Sequence, residues 1–265
     1  MNPERVQLFG ISIDNVTLAE AVQRIDALLD RRGRHYVVTP NVDHIVRLPR
    51  DPAFADAYYR ASLIFADGMP IVWASRLLRR PLKGRVTGSD LVPEVCELAA
   101  RRGASIFFLG TTPPILAEAV RRVTTQWPSL QIVGTYSPPF GFERNTLERL
   151  RMISAVNDAR PDILFIGLGA PKQELWIANS ITQVNVRVAL CIGAGIDYLA
   201  GAVKRAPRWM QRTGLEWAWR LLQEPGRLWR RYLVEDMQFL GLLAREFVRP
   251  RALLGQPQER RTLWQ

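Results

Sequence analysis

Cysteine and histidine are almost missing from this chain, with two of each in 265 residues. Cys96 and Cys191 fall in apolar stretches that read as a helix and a strand, so both are expected to be buried and reduced. A disulfide framework and a thiolate metal site are thereby set aside. With only His35 and His44 present, no credible Ser-His-Asp set can be assembled. No D-x-D pair occurs, so a metal gripped by the two carboxylates usual for nucleoside-diphosphate sugars has no evident ligands. No uncharged apolar run approaches the ~20 residues of a membrane-spanning helix. The first fifteen residues also lack the basic-then-apolar pattern of a secretory signal, and a cytoplasmic protein is the expectation. Acidic residues are the minority, 25 against 36 Lys and Arg, for a net charge of +11. Such an excess calls for an anionic partner: nucleic acid, phospholipid or a polyphosphorylated substrate. Thirteen of the basic residues and only six acidic ones lie in 201–265, so the charge is concentrated at the end.

What is present centres on Asp162–Trp176. Ile163 to Ile166 run without a polar break, as in a parallel strand covered on both faces. The run stops at Gly167 and Gly169, and Lys172, Gln173 and Glu174 open a helix. Strand, glycine turn and helix start place backbone N–H groups and a lysine at the carboxyl edge of a sheet, where α/β folds bind phosphorylated ligands. Val188–Ile192 followed by Gly193, Ala194, Gly195, Ile196 and Asp197 repeats the pattern, and the two edges together suit a diphosphate and its sugar.

The remaining chain alternates strand and helix. Strands are expected at Val6–Ile13, His35–Val38, Leu63–Ala66, Ile106–Leu109 and Ile132–Thr135. Helices are expected at Leu18–Arg32 behind a Thr17/Glu20 capping box, then at Arg50–Ala61, Ile71–Arg80, Leu91–Arg102, Pro113–Gln126 and Thr146–Ala159. This alternation predicts a doubly wound, mainly parallel α/β sheet of Rossmann-like type over residues 1–203. Polar residues gather at its strand ends: Thr39, Asn41, Asp67, Thr111, Lys172, Gln173 and Asp197. Residues 204–249 read as a basic helical appendage in which Trp209, Trp217, Trp219 and Trp229 interleave with arginines, and Pro225–Gly226 divides it into two helices. Residues 250–265 show no period and are expected to be disordered.

Each candidate has a plainer reading beside it. Gly167-x-Gly169 lacks the third glycine of a dinucleotide fingerprint, because position 172 is Lys, and it lies late in the chain, so no nicotinamide or flavin cofactor is expected. Asp67 is either a helix N-cap or a base facing the cleft. Thr39 and Asn41 suit simple capping equally well. The Trp/Arg run suits an anionic membrane surface best, through interfacial rings and arginine–phosphate pairing. A packing or oligomer contact ranks second, and nucleic acid last, for want of any accompanying nucleic-acid-binding motif.

Taken together, several runs resemble the WecG/TagA/CpsF glycosyltransferase family. They are Thr39-Pro40-Asn41, Ala66-Asp67-Gly68-Met69-Pro70, Arg85-Val86-Thr87-Gly88-Ser89-Asp90, Phe108-Leu109-Gly110 and Gly167 to Glu174. Gly193 to Asp197, Arg205-Ala206-Pro207 and Gly214-Leu215-Glu216-Trp217 with Arg220 complete the set. The resemblance spans about Val6 to Phe247. It implies a metal-independent, inverting transfer of a hexose derivative from a UDP-sugar to a sugar on a polyprenyl diphosphate. Such enzymes work at the inner face of the cell membrane in making surface polysaccharide or wall polymers. Under it, Asp67 takes the acceptor proton with Thr39 beside it. Asn41, Arg85, Gly110, Thr111, Gly167, Gly169, Lys172, Gln173 and Asp197 line the substrate pocket, and Arg212 and Arg220 meet the diphosphate. A homo-oligomer is left open. The competing expectation is a basic nucleotide- or nucleic-acid-binding α/β protein without transferase chemistry.

Overall fold

The computed structural model describes residues 5–207, 209–210, 213–223, 225–230 and 236–248. Arg212 and residues 250–265, both subjects of expectations above, lie outside them. Eight strands and twelve α-helices are described. Six strands form one parallel sheet: β3 (His35–Val38), β4 (Leu63–Ile64), β5 (Ser105–Gly110), β6 (Gln131–Tyr136), β7 (Ile163–Gly167) and β8 (Val188–Cys191). Their order is β4-β3-β8-β7-β5-β6, so the two strands that come last in sequence fill the middle.

Side-chain alternation along these strands builds two apolar layers. Leu164, Ile166, Ala189 and Cys191 face one layer, with α2 (Val42–Arg47), α3 (Pro52–Tyr59), α4 (Met69–Leu77), α7 (Thr146–Ala159) and α8 (Lys172–Ser180). Ile163, Phe165, Val188 and Leu190 face the other, with α1 (Leu18–Asp30), α5 (Gly88–Arg102), α6 (Pro113–Gln126) and α9 (Gly195–Leu199). Helices on both faces of a parallel sheet are the expected doubly wound α/β architecture. The Thr17/Glu20 capping box opens α1, and Gly103, at φ 65°, ends α5.

Two local expectations are corrected. Val6–Ile13 is not one strand but a hairpin, β1 (Arg5–Leu8) and β2 (Ile11–Asp14), paired antiparallel. Phe9 and Gly10, both at positive φ, make a two-residue turn of the kind that matches hairpin twist. The left-handed backbone at Phe9 is offset by burying its ring against Phe239, 5.1 Å between centroids. The helix expected at Arg50–Ala61 is only α3, with Asp51 as its cap, and the short helix α2 precedes it, capped by Asn41.

Beyond the sheet, α10 (Glu216–Gln223), α11 (Pro225–Arg230) and α12 (Gln238–Val248) follow. Helix α12 reaches back to the hairpin end through Phe239, and its Glu246 pairs with Arg80 at 3.2 Å. No helix among the described residues is long and apolar enough to cross a membrane.

Candidate active site

The carboxyl ends of β5, β7 and β8 meet at close quarters because glycines let them. Gly110 pairs with Gly167 in register, and at its φ of 131° a Cβ would fall on the Gly167 carbonyl. A Cβ on Gly167 would in turn crowd Ile196 and the Gly193 carbonyl. Thr111 N–H donates to Gly167 O at 3.3 Å, and Thr111 Oγ1 donates to Asp197 Oδ1 at 2.8 Å, joining the β5 end to α9. Gln173 is only 2 % exposed. Its Oε1 accepts from Gly193 N–H at 3.1 Å and its Nε2 donates to Glu174 Oε1 at 2.7 Å. Lys172 stands at the mouth, paired with Glu143 at 3.0 Å and 5.7 Å from the Phe142 ring centroid.

The other half of the site comes from β3 and β4. Thr39 is not a cap: its Oγ1 donates to Cys191 O across the β3–β8 seam at 3.3 Å. Asn41 does cap α2, accepting from His44 N–H at 3.3 Å. The N-cap of α4 is Gly68, with no side-chain cap hydrogen bond, so Asp67 is not used for capping. Its N–H instead donates to Pro40 O at 2.8 Å, and its carboxyl stands in the cavity wall.

That carboxyl is pushed up to about 7, first by burial, then by the Glu216 and Asp90 carboxylates, with Arg85 and Arg220 pulling the other way. Arg85 donates to Glu216 Oε2 at 2.6 Å and lies 3.9 Å from Asp90 Oδ2, and Arg205 also pairs with Asp90. A carboxyl raised toward neutrality by burial, beside partnered guanidiniums, is the electrostatic pattern of a proton acceptor.

Both halves open into one cavity of about 1250 Å³. Thr39, Asn41, Asp67, Arg85, Thr111 and Gly167 line it, together with Gly169, Lys172, Gln173, Asp197 and Arg220. Gly110 sits directly behind the lining, against Gly167. The sequence reading missed the carboxylates that hold the cations, Glu143 on Lys172 and Glu216 on Arg85. Those pairs join distant segments, and no local spacing signals them; Glu216 stood only within the Gly214–Trp217 run. Among the described residues no His/Cys/Asp/Glu cluster suited to a metal is found.

A model of the glycosyl transferase WecG/TagA/CpsF family matches residues 6–253. The chain belongs to that family. A curated relative from Bacillus spizizenii is 33 % identical over 205 residues, 77 % of each chain. One from Staphylococcus aureus strain MW2 is 27 % identical over 231 residues, 86 % of this chain and 89 % of its own. Both are named N-acetylglucosaminyldiphosphoundecaprenol N-acetyl-beta-D-mannosaminyltransferase. Family membership favours the transferase and corrects the competing expectation of a nucleotide- or nucleic-acid-binding protein without transferase chemistry.

Proposed function

We propose that this family member transfers an N-acetylated hexose, N-acetylmannosamine in the first instance, from a UDP-sugar to N-acetylglucosamine on a polyprenyl diphosphate, with inversion and without a metal. The single observation that carries the proposal is that Asp67, its carboxyl pushed up by burial, lines the same cavity as the two glycine edges. The cavity exceeds the roughly 300–1,000 Å³ of a pocket for one small ligand, which suits a donor and an acceptor head together.

In this scheme Asp67 removes the proton from the acceptor hydroxyl as that oxygen attacks the anomeric carbon from the side opposite UDP. Thr39, fixed on the Cys191 carbonyl, borders the base. The departing diphosphate is stabilised by backbone N–H groups of the glycine edges and by Lys172, Arg85 and Arg220. Arg85 and Lys172 are held by Glu216 and Glu143, so an entering diphosphate competes with those carboxylates for them. Asn41 and Asp197 line the same cavity from its two halves. Exposed Trp209, Trp217 and Trp229 near the basic chain end support peripheral association with the anionic inner face of the cell membrane.

The test is release of UDP from a panel of UDP-sugars with an N-acetylglucosaminyl-diphospho-prenyl acceptor, run with and without EDTA. Turnover with UDP-N-acetylmannosamine, undiminished by the chelator, is expected. No acceptor-dependent UDP release from any donor overturns the proposal.

A further inference from the structure

Glu174 is fully buried, yet it takes no place in the cavity wall and no part in the scheme above. One oxygen, Oε1, accepts from Gln173 Nε2 at 2.7 Å, and Oε2 has no hydrogen-bond partner. Burial pushes the carboxyl up to about 7, with Asp43 adding to the rise, while the Gln173 amide, its own backbone N–H and Arg47 work against it. A buried carboxyl half-satisfied in this way is costly, and a leucine would fill the space more cheaply. What the carboxyl supplies, through Oε1, is an acceptor for the Gln173 amide.

That acceptor decides the orientation of its neighbour. The Gly193 N–H can only donate, so it must meet the oxygen of the Gln173 carboxamide, as it does at 3.1 Å. The other end of the amide is then a donor and needs an acceptor. Glu174 provides it. Were the amide to turn over, its NH₂ would face the Gly193 N–H, and its oxygen would face the carboxyl. Gln173 thus spans the glycine turn after β7 and the glycine turn after β8, which carries Asp197 and through it Thr111.

We propose that Glu174 is a positioning residue, which locks the Gln173 carboxamide so that the two glycine turns are held as one cradle for the nucleoside diphosphate. The proposal rests on the donor reading given above. Glu174 touches no substrate, so its removal weakens donor binding and leaves the chemical step alone.

The experiment uses the full chain and combines UDP affinity by calorimetry, steady-state kinetics and thermal unfolding. It covers Glu174→Gln, Glu174→Ala, Gln173→Ala and the double alanine variant. Glu174→Ala is expected to weaken UDP binding and raise donor KM by about tenfold, with kcat and acceptor KM within about twofold. Glu174→Gln, whose amide oxygen also accepts from Nε2, is expected to restore wild-type affinity. The double variant should be no weaker than Gln173→Ala alone. Should Glu174→Ala fail to fold, Glu174→Leu, closer in volume and without an acceptor, is read in its place. Unchanged UDP affinity in Glu174→Ala, additive losses in the double variant, or equal impairment of Gln and Ala overturns the proposal. A wild-type chain that binds no UDP overturns the donor reading and this proposal with it.

Discussion

The centre of the sheet and the helices after it bury their side chains very differently. In β7 every residue short of Gly167 is buried, and Phe108 and Phe165 stack 5.5 Å apart beneath the site. In α10 no described residue is buried, and Leu222 is 77 % exposed; in α12 only Phe239 and Glu246 are buried, and Val248 is 83 % exposed. Yet both regions reach the cavity. The sheet contributes Asp67 and the glycine turns from a close-packed frame. The helices contribute Glu216, Trp217 and Arg220 and are tied back by the Arg85–Glu216 and Arg80–Glu246 ion pairs and the Phe9–Phe239 contact. The base and the glycine turns thus sit on the close-packed part, and the part with little core leaves large apolar side chains exposed.

Four variants test this contrast. The largest expected effect is at the sheet edge. Asp67→Asn should fold, bind UDP within about threefold of wild type and lose about 10²–10⁴-fold in turnover. Wild-type-like UDP release in that variant would remove Asp67 as the base. Next in size, Phe165→Ala should cost about 3–5 kcal/mol in urea unfolding, as for any large ring taken from a close-packed layer. Deleting residues 204–265 should leave cooperative unfolding but reduce co-sedimentation with anionic vesicles at least about tenfold, since each basic residue near such a surface contributes ~1 kcal/mol. A truncated protein that still sediments would place the anchor in the sheet body. The smallest effect belongs to Leu222→Ala, within about 0.5 kcal/mol. A cost equal to that of Phe165→Ala would mean that α10 is part of the core after all.

Much of the frame was legible because its signals are local. The bounds of α6 and α7 follow from Pro113–Pro114 opening the one and Asn145 capping the other. The unbroken apolar run of β7 marked a central strand, and the glycines after it marked the edge. The hairpin was hidden because its turn uses Phe9 at positive φ, a place where sequence rules look for Asn or Gly. Helix α2 was hidden because it is only six residues long, although Asn41 was open to reading as a cap. Gln173 was read as a ligand-binding side chain; it lines the cavity, and its carboxamide also bridges Gly193 and Glu174, a pairing that no local spacing signals. The pairings of Arg85 with Glu216 and of Lys172 with Glu143 arise only once the chain is folded, and with them the electrostatics of Asp67.

Those electrostatics give the central claim its most direct test, the pH dependence of kcat/KM between pH 5 and 9 in wild type and in Glu216→Gln. The ionised carboxylate of Asp67 is the active form, so wild-type activity should rise with pH through a single limb near 7. Removing the Glu216 charge takes away a carboxylate that raises the Asp67 value and releases Arg85, which lowers it, so the limb should move to lower pH. A wild-type profile that is flat over this range, or a limb that stays in place in Glu216→Gln, would contradict the assignment of Asp67 as the tuned base.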